Sequence, residues 1–346
     1  MCSMQSRNNK NRELHVLYQS DEGYAVPLCV SLYSMLKNNS SIAFTFHIIN
    51  NGLKGETIDR ITEIVSEWSA SIDWIDAEEF VSFLKERCFA LQRDSYTTYL
   101  KLFVVDRIIS NYPVAEWLLY VDCDTLIVGN LEELLDLKPS EKYIYGVYEY
   151  NHPAYRQHIG VNGNSINAGM YLLHLNEWKN NGDGDKILSL LNDSVYISNL
   201  WLHDQDVINH LFADQICAIS PRYNLTHAFC FCHNSDVYGT KFHMAKGFYS
   251  REEIEKSMAD PVIIHYMDVC WTGMPWDRWN ANQWTKLYIK YKNQCWNEGI
   301  TVPKNKNVKR QMGKAVMVLV NKICPRPVKA RIYYYISKMM VRKKIR

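Results

Sequence analysis

The sequence predicts an α/β fold built on a mixed, mainly parallel sheet flanked by helices. Three observations predict it. Short apolar runs alternate with segments of helical spacing along the N-terminal part of the chain. One of these runs, "WLLYV" (117–121), is apolar throughout, as a strand buried on both faces must be. Polar and acidic residues follow such runs directly, where open α/β sheets bind their ligands.

The elements follow in order. "HVLYQS" (15–20) reads as a first strand running into "DEGYA", and residues 26–36 take helical spacing. "FTFHIIN" (44–50) is a second strand. Over 54–69, Ile58, Ile61, Val65 and Trp68 recur at three- and four-residue intervals, one face of an amphipathic helix. "SIDWIDA" (71–77) is a third strand, a helix over 96–109 leads to the fourth, and strand–helix–strand connections of this kind cross right-handed. Further on, "SINAGMYLLHL" and "PVIIHYM" read as strands and "HDQDVINHLF" as the start of a helix.

Length and composition fit this reading: 346 residues at 47% hydrophobic content bury the core of one large domain or two smaller ones. The net charge of +2 conceals an asymmetry, because residues 304–346 hold fourteen Lys or Arg and no acidic residue, whereas residues 1–303 hold 25 basic and 37 acidic groups. The expected division is a polar, disordered start (1–12), one α/β domain (13–303) and a basic amphipathic tail (304–346). Such a tail suits an anionic membrane surface, with Tyr333–Tyr335 as headgroup anchors, and nothing else in the chain resembles a base-reading element for nucleic acid. No apolar run reaches the roughly 18–20 residues that span a bilayer, and the polar start lacks the apolar centre of a secretory signal. The ten cysteines are scattered, and Cys29, Cys88 and Cys123 sit among apolar residues, which reads as thiols in a reducing compartment. "CFCH" (230–233) lacks the spacing and the second cysteine pair of a zinc site.

Chemistry concentrates at three places. "WLLYVDCD" ends a buried strand on Asp122 and Asp124. Two carboxylates on one hard cation are the expected use, although a bare D-x-D also occurs as solvated loop residues. His265 ends another apolar strand; alone it reads as a hydrogen-bonded structural residue, and together with the two Asp it makes an O₂N set that favours Mn²⁺ over Ca²⁺. Asp204, Gln205 and Asp206 open a helix, where acidic residues are ordinary caps and dipole partners. Against that, Asn167, Ala168 and Gly169 sit mid-strand, where Asn and Gly are disfavoured unless something approaches the backbone closely.

Taken in order, "SDEGYA", "SYTTYLKL", "YVDCDTLIVGN", "INAGMYLLHLNEW" with "HDQDVIN", and "IIHYMDVCWTGMPW" resemble the family-8 retaining glycosyltransferases of the GT-A fold, the group of bacterial lipopolysaccharide galactosyl- and glucosyltransferases and of glycogenin. The resemblance covers roughly residues 13–280. It implies a metal-dependent hexosyltransferase with UDP-glucose or UDP-galactose as donor and Mn²⁺ or Mg²⁺ as cofactor. Asp122, Asp124 and His265 match the metal ligands, with Cys123 inside the donor-binding motif. Asp21 and Tyr24 match positions that hold ribose and uracil, Tyr24 as the ring that stacks on the base. Asn167, Asp204 and Gln205 match residues around the donor sugar, Gln205 nearest the anomeric carbon.

The sequence departs from the family pattern in three places: Lys101 stands for a donor-site arginine, Asp268 for a glycine, and Met274 for a lysine beside the diphosphate. The last two motivate an alternative, a catalytically weak or inactive nucleotide-sugar-binding scaffold. A nucleotidyltransferase, the third reading, lacks its glycine-rich basic loop. The acceptor implied is a glycan on a lipid carrier or lipopolysaccharide core, and the location implied is the cytoplasm, at the inner face of the cell membrane.

Overall fold

A computed structural model describes residues 12–87, 96–232, 244–268, 272–296 and 308–345. Its main sheet has seven strands in the order β3 (Ala70–Asp76), β2 (Ile42–Asn50), β1 (Arg12–Ser20), β4 (Trp117–Val121), β7 (Ile166–His174), β6 (Ile144–Tyr148) and β8 (Ile216–Ala218). Strands β3, β2, β1 and β4 run parallel to one another, β7 is antiparallel to both β4 and β6, and β6 is parallel to β8. The sheet is therefore mixed, with its parallel half at the N-terminal side.

Two apolar layers cover the sheet. Strand β1 sends Leu14, Val16 and Tyr18 to one layer and Leu17 to the other, the two-residue alternation of a pleated strand. All five residues of β4 are buried, with Trp117, Leu119 and Val121 on one side and Leu118 and Tyr120 on the other. The apolar run required this, because a charged residue on either face would sit inside a core. The helix Gly55–Ser66 buries Ile61 and Val65 as its spacing predicted, and the helices Ala25–Asn38 and Tyr96–Asn111 lie where helical spacing placed them.

A second sheet was not visible in the sequence. It orders β5 (Thr125–Ile127), β10 (Ile263–His265) and β9 (Leu225–Thr226). Only β10 was legible, within the apolar run "PVIIHYM"; β5 and β9 are three and two residues long, too short for periodicity to mark. The chain changes sheets at the D-x-D stretch: the Asp122 N–H bonds to the Gly169 carbonyl at 2.8 Å in the main sheet, while the Asp124 carbonyl accepts the Tyr266 N–H at 2.8 Å beside the small one.

The C-terminal segment is two helices, Val308–Ile323 and Arg326–Ile345. Met317, Ala330, Tyr333 and Ile336 pack with Ala228 in one apolar cluster. Tyr333 is therefore buried and Tyr334 stacks beside His152, so of the three tyrosines expected as headgroup anchors only Tyr335 is exposed. Residues 1–11, Cys88 and His233, with the side chains of Cys230 and Cys232, lie outside the described residues. Cys29, Cys123, Cys217, Cys295 and Cys324 are free thiols.

Candidate active site

Strand ends and one helix start meet at a cleft of about 740 Å³, lined among others by Asp21, Tyr24, Lys101, Asp122, Asp124 and Asn167. That volume is in the range of small-molecule sites. The cleft is also lined by Cys123, Asp204, Gln205, His265 and Asp268, whereas Asp206 and Met274, also singled out from the sequence, do not line it.

Asp122 and Asp124 converge because the chain turns between sheets after Val121. The turn is pinned from below by a buried hydroxyl chain: Thr125 Oγ1 donates to the Asp122 carbonyl at 2.8 Å, and Ser31 Oγ lies 2.8 Å from both Thr125 Oγ1 and Tyr18 Oη. Cys123, between the two, turns its thiol to the Gln19 carbonyl at 3.1 Å, so only its backbone is left for a ligand. His265 arrives from β10, its Nε2 3.2 Å from Asp124 Oδ1 and 3.7 Å from Asp122 Oδ2.

The donor set fits a divalent cation. Ligand atoms of Asp122, Asp124 and His265 all lie within 4.8 Å of one another. Asn224 Nδ2 donates to Asn167 Oδ1 at 3.0 Å, which leaves Asn224 Oδ1 as the acceptor for His265 Nδ1 at 2.9 Å. The proton is thereby fixed on Nδ1, and the Nε2 lone pair faces the two carboxylates, the arrangement of a metal-ligating histidine with an outer partner. Burial lowers the His265 pKa, but Asp124 and then Asp122 outweigh it and raise it above the ordinary histidine value. The field that draws a proton to that nitrogen draws a cation equally well. Gly169 leaves the room: a Cβ there would run into His265 Cε1 and stand 2.7 Å from Asp122 Oδ2. This is the close approach that a glycine in mid-strand pointed to.

Lys101 and Asp204 form the second half. Lys101 Nζ is 2.6 Å from Asp204 Oδ2, 3.9 Å from Asp122 Oδ1 and 4.1 Å from the centre of the Tyr120 ring. Tyr120 in turn donates its hydroxyl to Asp122 Oδ1 at 2.5 Å. Burial works against the Lys101 charge, and Asp204 followed by Asp122 overcomes it, so the pKa lies above the ordinary lysine value. The lysine thus ties the D-x-D edge to the start of the Asp204–Leu211 helix.

That helix separates the two readings of its acidic residues. Asp206 is fully buried and structural, taking the N–H groups of Trp201 and Leu202 at 2.6 and 2.9 Å and the Tyr155 hydroxyl at 2.6 Å. Asp204 faces Lys101 in the cleft. Between loop and helix, His203 holds φ +50°, a left-handed conformation that no other non-glycine among the described residues adopts and that strained functional turns often contain.

Gln205 Oε1 accepts the Ala168 N–H at 3.1 Å, and Asn167 Nδ2 donates to Glu149 Oε2 at 2.6 Å. Glu149 and Asn224 are residues that the sequence did not single out. Glu149 follows β6, whose register against β7 shifts after Gly146, and burial raises its pKa although the Asn167 and Gln205 hydrogen bonds oppose the rise. A polar network thus runs from Glu149 through Asn167 and Asn224 to His265.

At the cleft mouth, Asp21 Oδ1 accepts the Tyr24 N–H at 3.1 Å and caps the short turn Glu22–Tyr24. Tyr24 is 42% exposed, with Trp276 packed edge-on at 6.3 Å, so one aromatic face is held rigid and open.

The sequence profile of glycosyl transferase family 8 matches residues 15–280. A lipopolysaccharide 1,2-glucosyltransferase of Escherichia coli is 25% identical, over 88% of this chain and 85% of its own. A lipopolysaccharide 1,3-galactosyltransferase of Salmonella typhimurium is 21% identical, over 82% and 79%. Among solved structures, the galactosyltransferase LgtC in complex with donor and acceptor sugar analogues superposes with a TM-score of 0.62 at 19% identity, covering 81% of this chain and 95% of that one; the fold is GT-A. The family profile spans most of the chain, including every residue that meets in the cleft, and the chain belongs to glycosyl transferase family 8.

Proposed function

We propose that the protein is a retaining hexosyltransferase that moves glucose or galactose from a UDP-sugar to a hydroxyl of a glycan acceptor in lipopolysaccharide or cell-surface polysaccharide synthesis. The observation that carries the proposal is the convergence of Asp122, Asp124 and His265 around the space that Gly169 leaves, beside the Lys101–Asp204 pair.

Asp122, Asp124 and His265 would hold Mn²⁺ or Mg²⁺. A divalent cation held there would supply positive charge to a departing diphosphate, so that no protein group would have to protonate the leaving group. Lys101 adds a second, fixed positive charge at the same edge and positions Asp204. Tyr24 offers its open ring to the base and Asp21 a carboxylate to the ribose. Asp204 and Asn167 present hydrogen-bonding groups to sugar hydroxyls, and Gln205, anchored by the Ala168 N–H, holds its amide beside them. A double displacement requires a carboxylate nucleophile. Asp206 is occupied by Trp201, Leu202 and Tyr155, and Asp204 is held by Lys101. Those engagements support attack of the acceptor on the face that the diphosphate leaves.

The tail supports a membrane-adjacent acceptor. On Val308–Ile323, Met312, Val316, Leu319 and Ile323 are exposed at spacings of four, three and four residues, a single apolar stripe. The chain around it is basic and carries no acidic residue. No helix among the described residues is long and apolar enough to cross a membrane. The proposal places residues 304–346 on an anionic bilayer at the inner face of the cytoplasmic membrane and the acceptor on a lipid.

The test is transfer from UDP-glucose and UDP-galactose to a panel of lipid-linked and free glycans, with the anomeric configuration of the product read by NMR. The expected result is one donor accepted and its configuration retained. Donor binding without product on any acceptor would favour the scaffold reading that Met274, buried in an apolar cluster, motivates. An inverted product would contradict the retaining assignment.

A further inference from the structure

The segment Tyr266–Trp276 brings one acidic residue to the cleft, Asp268, and contains no lysine or arginine. Met274 is turned into the apolar cluster of Val30, Ile264 and Tyr288 and carries no charge toward the site. A second carboxylate, Asp277, stands behind the same loop. Both are largely shielded from solvent, with side chains 11% and 15% exposed. Two shielded carboxylates beside a bound diphosphate would repel it and each other.

The compensating charge comes from the tail. Lys314, on the helix Val308–Ile323, is 3% exposed and places Nζ 3.1 Å from Asp268 Oδ2 and in direct contact with Asp277 Oδ2. An ammonium is buried at this depth only where it is paired, since desolvation alone costs several kcal/mol. The same two carboxylates carry the loop backbone: Asp268 Oδ1 accepts the Gly273 N–H at 2.9 Å and Asp277 Oδ2 accepts the Met274 N–H at 2.8 Å. Gly273 itself holds φ +78°, and a Cβ there would strike the Trp279 carbonyl, so no residue with a side chain fits this turn. Lys314 lies on the side of its helix opposite the exposed apolar stripe, next to buried Met317.

We propose that Lys314 is a positioning residue for the donor diphosphate: it cancels the Asp268 charge at the cleft wall and holds the two carboxylates that carry the Gly273 and Met274 N–H groups, so that the helix Val308–Ile323 completes the donor site. The proposal rests on the nucleotide-sugar reading above. It separates two uses of the basic tail, one lysine serving the site from within while the exposed face remains for a surface.

The experiment measures the affinity of the full chain, with Mn²⁺, for UDP and for uridine by titration calorimetry, alongside thermal melts. Lys314→Met is expected to weaken UDP roughly tenfold, the size of one added net negative charge near a diphosphate in a partly screened site, and to leave uridine unchanged. Lys314→Arg retains UDP affinity, and Asp268→Asn in the Lys314→Met background restores most of the loss. A merely structural lysine would move the melting temperature and either both affinities together or neither, and that result overturns the proposal. Asp268→Asn alone keeps the test independent of folding in the lysine variant: it tightens UDP several-fold, and an unchanged UDP affinity overturns the proposal. A wild-type chain that binds neither ligand overturns the nucleotide-sugar reading, and the proposal with it.

Discussion

Gly169 and Asn224 act on His265 from opposite sides. The first leaves open the space in front of the imidazole, and the second fixes its proton on the far nitrogen. Gly169→Ala is therefore expected to fold and to lose Mn²⁺ binding, measured by calorimetry, because its methyl group occupies the gap between His265 and Asp122. Asn224→Ala frees the ring and its tautomer and is expected to weaken metal binding about 10–100-fold, the usual effect of removing an outer partner. Mn²⁺ affinity unchanged in both variants would show that the three side chains do not form the ligand set. Asp122, Asp124 and His265 were legible in the sequence because each follows an apolar strand directly. Asn224 and Glu149 were not, because each gains its role only from a partner far along the chain: Asn224 from His265, and Glu149 from Asn167. Polar residues in loops look alike until the fold selects among them.

Among the secondary-structure elements, β4 fixes where the cleft forms. An apolar run identified it as a buried strand, and the carboxylates at its end marked the site. The change of sheet that aims those carboxylates together left no trace, since β5 and β9 are too short to show a period and the apolar run of β10 does not reveal its partners. The start of the Asp204–Leu211 helix was legible as an acidic first turn. Which acid was structural depended on the Trp201–His203 turn that folds back over Asp206. Asp206→Asn removes a buried charge-assisted acceptor from two N–H groups and a hydroxyl. The expected cost is about 2–3 kcal/mol of stability, read as a lower melting temperature. Because the same turn positions Asp204, kcat should fall with it; normal turnover in a destabilised variant would separate the turn from catalysis.

Across the whole molecule, a chain of buried groups lies away from the cleft. His15 Nδ1 is 2.9 Å from His47 Nε2, His47 Nδ1 is 3.0 Å from Asp73 Oδ2, and Glu13 and Arg107 flank the ends, with Tyr112 edge-on to both rings. Burial dominates and pushes His47 down to about 4, with Asp73 opposing it. The unfolded chain, at the ordinary histidine value, takes up a proton first as pH falls. Stability is therefore full above pH 6.5 and declines through the window from 6.5 to about 4, by roughly 3 kcal/mol for this one group. Thermal melts between pH 7.5 and 4.5 should show the decline, and His47→Gln should flatten it; a flat wild-type profile would contradict the assignment. The C-terminal helices show the limit of composition at this scale. Counting charges marked a basic surface segment, but neither the packing of Met317, Ala330, Tyr333 and Ile336 nor the inward course of Lys314 follows from a count.

Under the proposed function, transfer from a UDP-sugar depends on a cation held by Asp122, Asp124 and His265. The most direct test is UDP release from UDP-glucose and UDP-galactose by the wild-type chain and by Asp124→Asn, with Mn²⁺ and with chelator. Release is expected from one donor; it needs the cation and falls at least about 100-fold in the variant, the scale seen when a group stabilising transition-state charge is removed. Release that persists with chelator, or that is unchanged in Asp124→Asn, would contradict that dependence.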